Sequence, residues 1–268
     1  MKAAAIQMTS GRRVEDNLAE ASRLLEAASA RGTALAVLPE NFAYMGAADS
    51  ERLDAAERWG EGPIQSFLRD QAIAHQLWLV GGTVPIWDDA SRARSASLLF
   101  DPEGRTRARY DKIHLFDVGI PSSEESYRES ATTVAGTEAL SADTPLGRIG
   151  MAVCYDIRFP ALFERLGAMG MDMLVLPAAF TVPTGEAHWS VLLRARAIES
   201  LSYVIAAAQW GEHEGGRRTY GHSMIVDPWG EILAERAERP GVVMADLDMM
   251  RLERLRESFP ALRHRHRF

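Results

Sequence analysis

Two turns of the same kind set the frame of this chain. Asp101-Pro102-Glu103-Gly104 lies between the strand-like runs Ser95–Phe100 and Thr106–Tyr110, and Asp227-Pro228-Trp229-Gly230 lies between Ser223–Val226 and Glu231–Ala234. Each reads as the tip of an antiparallel hairpin. The same order of elements precedes both. In the first half, residues 3–8 form a strand, and a helix carries Leu18, Ala21, Leu24, Leu25 and Ala28 on one buried face. The uninterrupted apolar run 34–38 is a strand covered on both faces, a helix runs from Pro63 to about Gln76, and Leu77–Val80 is the next strand. The second half repeats this with strand 148–153, helix 160–169, strand 173–176, helix 187–201 and strand 203–208. A last strand, Val242–Asp246, precedes a short helix near 248–257. Two such halves predict an α/β fold, a four-layer α-β-β-α sandwich with internal pseudo-twofold duplication. No glycine- or proline-rich linker separates them, so residues 1–268 are expected to form a single domain. The segment 112–146 is expected to be the long irregular piece, and long ordered loops tend to be functional.

Composition narrows the class of function. Hydrophobic content of 47% and charged content of 25% are those of a soluble globular chain with a sizeable core. The net charge of −7 argues against nucleic-acid binding, and the short basic tail Arg263–Arg267 reads as a solvated end or a subunit contact. The N-terminus lacks the apolar run of a signal peptide, and no stretch approaches a membrane span. With one cysteine there is no intramolecular disulfide, which suits a reducing compartment; a cytoplasmic protein with no membrane partner is expected.

That one cysteine, Cys154, falls at the carboxyl end of strand 148–153, where ligands and catalytic groups gather in α/β sheets. If the following helix begins close by, its amino end favours the thiolate. Glu40 ends the second strand of the first half, and Lys112 follows the first hairpin directly. Taken singly, a buried small hydrophobe, a solvated carboxylate and a surface ammonium account for these three.

Taken together, with the motifs around them, they do more. Leu38-Pro39-Glu40, Tyr110-Asp111-Lys112-Ile113-His114-Leu115-Phe116-Asp117 and Cys154-Tyr155-Asp156-Ile157-Arg158-Phe159-Pro160 resemble the glutamate, lysine and cysteine motifs of the nitrilase, or carbon–nitrogen hydrolase, superfamily. Pro177–Thr181, Ala187-His188-Trp189, Leu193–Glu199 and Tyr220–Gly230 are also similar to that family, so the resemblance covers nearly the whole chain. It implies a duplicated αββα fold and hydrolysis of a linear amide through a thioester. Cys154 would be the nucleophile and Glu40 the general base and acid. Lys112, with the backbone N–H of Tyr155, would stabilise the oxyanion. Glu129, in Tyr127-Arg128-Glu129-Ser130, falls where the family has a second glutamate that orients the lysine and substrate.

Within the family, the lysine region and the run from Ala187 to Gln209 resemble most narrowly the deaminated-glutathione amidases, which release 2-oxoglutarate and cysteinylglycine. The neighbouring ω-amidases, acting on 2-oxoglutaramate, are the alternative, and a catalytically silent binding subunit is the alternative of another class. Either amide needs a cation for its carboxylate, and the bidentate guanidinium of Arg158 is the candidate unless it is tied to Asp156 or a helix end. Phe180, Thr184 and Tyr44 are candidates for the pocket wall. Asp111, the loop Gly119–Glu125 and the tail Arg263–Phe268 depart from the family pattern and bear on the leaving-group side. A cysteine–histidine dyad using His114, His188 or His222 is the competing mechanism. No HExxH, CxxC, GxGxxG or P-loop pattern occurs, so neither a metal nor a nucleotide cofactor is expected. The resemblance also implies a homodimer or higher homo-oligomer through the helices at 160–169 and 187–201.

Overall fold

A computed structural model describes residues 1–120 and 126–266. Its first half runs β1 (Lys2–Gln7), α1 (Val14–Ser29), β2 (Leu35–Val37), α2 (Pro63–His75), β3 (Trp78–Val80), β4 (Val84–Trp87), β5 (Ala93–Phe100) and β6 (Thr106–Asp111). A small hairpin, β7 (Asp117–Gly119) with β8 (Ser126–Arg128), leads to the second half. There β9 (Leu140–Thr144), β10 (Gly147–Met151), α3 (Pro160–Ala168), β11 (Met173–Ala178), α4 (Val182–Ser200) and β12 (Tyr203–Ala208) follow in order. The small hairpin β13 (Trp210–Glu212) with β14 (Arg218–Tyr220) precedes β15 (Ser223–Val226), β16 (Ile232–Arg236), β17 (Gly241–Asp246) and α5 (Met249–Ser258).

Among the described residues the two large sheets have matching topologies. One runs β17-β1-β2-β3-β5 with β6 on β5; the other runs β9-β10-β11-β12-β15-β16. In each, three parallel strands are flanked by antiparallel neighbours, β17 on β1 and β9 on β10 at one end, β5 on β3 and β15 on β12 at the other. Even the irregularities coincide: the register shifts between Leu99 and Phe100 in one hairpin and between Ile225 and Val226 in the other, just before each Asp-Pro turn. The first sheet carries β4 as an addition, paired with the start of β5.

Strand alternation explains the layers. Ala3, Ala5, Leu35, Val37 and Val80 face the second sheet and join its Ile149, Met151 and Val175 in one core. Ala4, Ile6, Ala36, Leu38 and Leu79, one residue out of phase, pack under α1 and α2 in another. A period of two sends successive side chains to opposite faces, so a short run buried on both faces serves two layers at once. On α1 the buried residues include Ala21, Leu24, Leu25 and Ala28, the face that the spacing predicts. No described helix is long and apolar enough to cross a membrane.

Several boundaries differ from the sequence reading. The segment 112–146 is not irregular throughout, because β7, β8 and β9 lie in it. Helix α4 begins at Val182 rather than 187, since Pro183 falls in the first turn, where its missing N–H costs nothing. The last strand, which the sequence reading assigned to no sheet, pairs with β1 in the first. The divergent loop Gly119–Glu125 lies outside the described residues from 121 onward, as do Arg267 and Phe268 of the tail.

Candidate active site

The strand ends of both sheets meet at one place. Past β2, Leu38-Pro39-Glu40 turns sharply, and Asn41 takes φ 57°. That turn is tied down by Thr83 Oγ1, which accepts the Asn41 N–H at 2.9 Å, and by Gln209 Nε2, which donates to the Glu40 carbonyl at 3.0 Å. Gly82, at φ 51°, lies so close that a Cβ there would run into the Pro39 carbonyl. Lys112 leaves β6 with its N–H on the Ser95 carbonyl at 3.0 Å.

Cys154 follows β10 at φ 47° and opens a short 3₁₀ turn, Cys154–Arg158, ahead of α3. A left-handed backbone at a non-glycine residue costs about 1–2 kcal/mol, and such strain persists where surrounding bonds enforce it. Here the fully buried Asp156 enforces it. Its Oδ2 accepts the Val153 N–H at 2.9 Å and the Tyr110 hydroxyl at 2.7 Å, and its Oδ1 accepts the His114 N–H at 2.9 Å. The cysteine turn is thereby locked to the segment that carries Lys112.

Four titratable groups gather in the resulting recess, each less than a tenth exposed: Glu40, Lys112, Glu129 and Cys154. Lys112 Nζ donates to Glu40 Oε1 and to Glu129 Oε2, both at 2.8 Å. Glu129 Oε2 also accepts the Phe116 N–H at 2.8 Å, and its Oε1 faces Arg52 Nη1 at 3.4 Å. The Cys154 thiol lines the same recess as Glu40 and Ala179. Burial alone would depress the Lys112 ammonium, but Glu129 and Glu40 outweigh it and hold lysine above its ordinary range. Burial likewise opposes ionisation of Glu129, yet Lys112 and Arg52 pull its carboxyl down to about 2. The thiol goes the other way. Burial, then the charge of Glu40, push Cys154 well above the usual thiol range, against the pull of Lys112. This corrects the expectation of a favoured thiolate: the 3₁₀ turn separates Cys154 from α3, and burial and the Glu40 charge oppose ionisation.

The recess opens to solvent. Tyr155, Phe180 and Thr184 line it, together with all four titratable groups. Arg158 and Tyr44 do not. Arg158 is half-buried, its guanidinium over Phe180 at 5.1 Å and Tyr155 at 5.8 Å. It is not tied to Asp156, whose oxygens are taken up elsewhere; its Nη1 stands 3.2 Å from His188 Nδ1. Tyr44 stands near Glu51 and Arg12, outside the lining. Sequence reasoning missed Asn41, Arg52 and Arg217 in the lining and gave no role to Phe116 and Tyr127. The last two stand inside the quoted motifs; Arg52 stands in none. No histidine is among the lining residues: His114 pairs with Asp156 at 2.7 Å and His222 with Glu235 at 2.5 Å.

Known proteins share this architecture. Residues 2–257 match the carbon-nitrogen hydrolase family. A deaminated glutathione amidase from Synechocystis is 43% identical over 98% of this chain and 97% of its own length. The crystal structure of the Caenorhabditis elegans NitFhit protein superposes with a TM-score of 0.92 at 41% identity, over 99% of this chain and 65% of that longer one. An amidase variant from Nesterenkonia, whose active-site cysteine carries the Michael adduct of acrylamide, gives a TM-score of 0.78 at 25% identity, over 97% and 98%. On the extent of these matches, the chain belongs to the carbon–nitrogen hydrolase family.

Proposed function

We propose that this protein is an amidase that splits deaminated glutathione into 2-oxoglutarate and cysteinylglycine through a thioester on Cys154. One observation carries the reading. The Glu40 carboxylate pairs with the Lys112 ammonium at 2.8 Å and lines the same buried recess as the Cys154 thiol, whose ionisation it opposes. A thiol held protonated needs a base at the moment of attack, and Glu40 is placed to be that base. As Sγ bonds to the amide carbon, its proton passes to Glu40, and the carbonyl oxygen becomes an oxyanion facing Lys112 Nζ and the Tyr155 N–H. Collapse of the tetrahedral adduct breaks the C–N bond, and Glu40 returns the proton to the leaving amine. Water, deprotonated by Glu40, then attacks the thioester and frees the acid and the thiol. Glu129 positions the lysine by taking one of its three N–H donors.

The choice of amide is supported by full-length relatives that bear that activity in their names. A nucleophile that must stay a free thiol suits a cytoplasmic setting. We further take the chain as one folding unit that self-associates through α4, where Val191 and Ile198 stand exposed; sedimentation of a Val191→Lys variant tests this.

The functional test is release of 2-oxoglutarate from deaminated glutathione and, separately, from 2-oxoglutaramate, by wild type and by Cys154→Ala. Preference for deaminated glutathione, lost in the variant, is expected. Preference for 2-oxoglutaramate would make the protein an ω-amidase, and turnover that survives in Cys154→Ala would remove the thioester.

A further inference from the structure

The catalytic groups alone make a poor receptor for an anion. With Cys154 protonated, Glu40, Glu129 and Lys112 together carry two negative charges and one positive, on a protein whose net charge is −7. A carboxylated substrate entering that field would be repelled, unless cations outside the cluster reverse its sign. Two guanidiniums line the same recess, Arg52 and Arg217. Both lie against one short segment, Tyr127–Glu129. The Arg217 guanidinium carbon is 4.8 Å from the centre of the Tyr127 ring, and Arg52 Nη1 is 3.4 Å from Glu129 Oε1. At that distance the Arg52–Glu129 contact is longer than the roughly 2.7–2.9 Å of a strong charge-assisted bond. Arg52 Nε is buried and has no hydrogen-bond partner among the described residues. Arginine donors in this setting suit the forked geometry of an incoming carboxylate. Arg158, by contrast, does not line the recess; its guanidinium stands over the Phe180 and Tyr155 rings, which do.

We infer that Arg52 and Arg217 receive a carboxylate carried by the leaving group, so that the site selects amides anionic at both ends. This rests on the amidase reading above and deepens it, because the leaving group of deaminated glutathione ends in a carboxylate and that of 2-oxoglutaramate is ammonia. The arginines are specificity residues here, and neither is asked to touch the reacting atoms.

Two measurements test the inference. The first compares kcat/KM on the two amides for wild type, Arg52→Met and Arg217→Met, with the Lys versions as charge-keeping controls. Each Met variant is expected to lose about 10–100-fold on deaminated glutathione, mainly through KM, and at least about tenfold less on 2-oxoglutaramate. The Lys variants should recover part of the loss. Equal losses on both amides would reduce Arg52 and Arg217 to supports for Glu129, and no loss would remove them from recognition; either overturns the inference. The second measurement needs no turnover. The rate of Cys154 alkylation by iodoacetate, divided by that for neutral iodoacetamide, reads the field at the thiol directly. The ratio should fall several-fold in both Met variants and converge with wild type at high salt. An unchanged ratio overturns the inference even if turnover drops. If wild type releases 2-oxoglutarate from neither amide, the functional reading fails, and the alkylation ratio still decides the role of the arginines.

Discussion

In the first half of the chain, β6 runs straight into Lys112, which is buried between two carboxylates; in the second half the equivalent strand β16 runs into Ala237 and an exposed turn. The other strand ends differ in the same way. Beyond β2 stands Glu40 with its carboxylate turned inward, whereas beyond β11 stands Ala179, which offers only its backbone to the thiol. Beyond β10 stands Cys154, and beyond its counterpart β1 stands Ser10, which bonds Gln209 and the Phe42 carbonyl. The duplicated frame therefore supplies equivalent positions, and the site arises where the two copies diverge. Glu40, Lys112 and Glu129 all precede the second sheet in sequence, so the acid–base cluster is assembled on one side and the nucleophile is brought to it from the other. Charge changes in the first set of groups should tune the thiol; changes in the second should remove or displace it.

The largest expected effects test that division directly. Lys112→Met removes an oxyanion donor and should lower turnover at least about a hundredfold. Glu40→Gln removes the base and should lower it at least as far. The two variants should move the Cys154 thiol in opposite directions. Glu40 raises it and Lys112 lowers it, so the midpoint of the pH profile for alkylation by iodoacetamide should fall in Glu40→Gln and rise in Lys112→Met. Midpoints that move together would mean that burial alone sets the thiol and that the cluster does not tune it.

Stability should follow the same logic with its own sign. Lys112→Met leaves Glu40 and Glu129 buried without their shared cation, a loss of about 3–5 kcal/mol at neutral pH. In the wild type, Glu129 titrates at about 2, below its ordinary 4.5, so its contribution is present above about 4.5 and is lost as pH falls toward 2. Without the lysine, burial loses its strongest opponent at Glu129, where only Arg52 and the Phe116 N–H still favour the carboxylate. Glu129 then shifts toward the protonated form, and stability is lost as pH rises. Urea unfolding at pH 5 and at pH 7.5 should therefore show a smaller gap between variant and wild type at the lower pH. A gap that is constant with pH would mean that Lys112 acts by packing alone.

How much of this the amino-acid order discloses depends on the range of the interaction concerned. The hairpin turns, the alternating strands and the α1 face are local patterns, and they lie where local patterning puts them. Glu40, Lys112 and Cys154 were legible because each ends a strand inside a motif. The direction of the thiol shift was not, since it depends on burial and on a carboxylate from the other sheet. Nothing local marks β17 as the edge strand of the first sheet, because a short antiparallel strand fits either edge. Arg158 beside Asp156 in the cysteine motif suggested a pair, but the Asp156 carboxylate is filled by Val153, Tyr110 and His114. Arg52 sits in a stretch with no motif, and it lines the recess beside Glu129, a residue far away in sequence.

The smallest expected effect separates frame from site. Asp101 and Asp227 hold their turns in the same manner: Oδ1 of the first accepts the Glu103 and Arg105 N–H groups at 3.1 and 2.9 Å, and that of the second accepts those of Trp229 and Glu231 at 2.9 and 2.8 Å. An asparagine keeps one acceptor oxygen, so either turn should survive the change to Asn and lose only its charge. The charges have different partners. Asp101 pairs at 2.8 Å with Arg105, a mostly exposed side chain of its own turn, a contact worth about 0.5–1 kcal/mol. Asp227 is fully buried and pairs at 2.7 Å with Arg251 of α5, so Asp227→Asn should cost more, about 1–3 kcal/mol, and loosen α5. Urea unfolding of both variants, with turnover measured per folded molecule, checks this. Equal costs would mean that the link to α5 contributes nothing, and a drop in turnover would mean that the turns of the frame reach into the site after all.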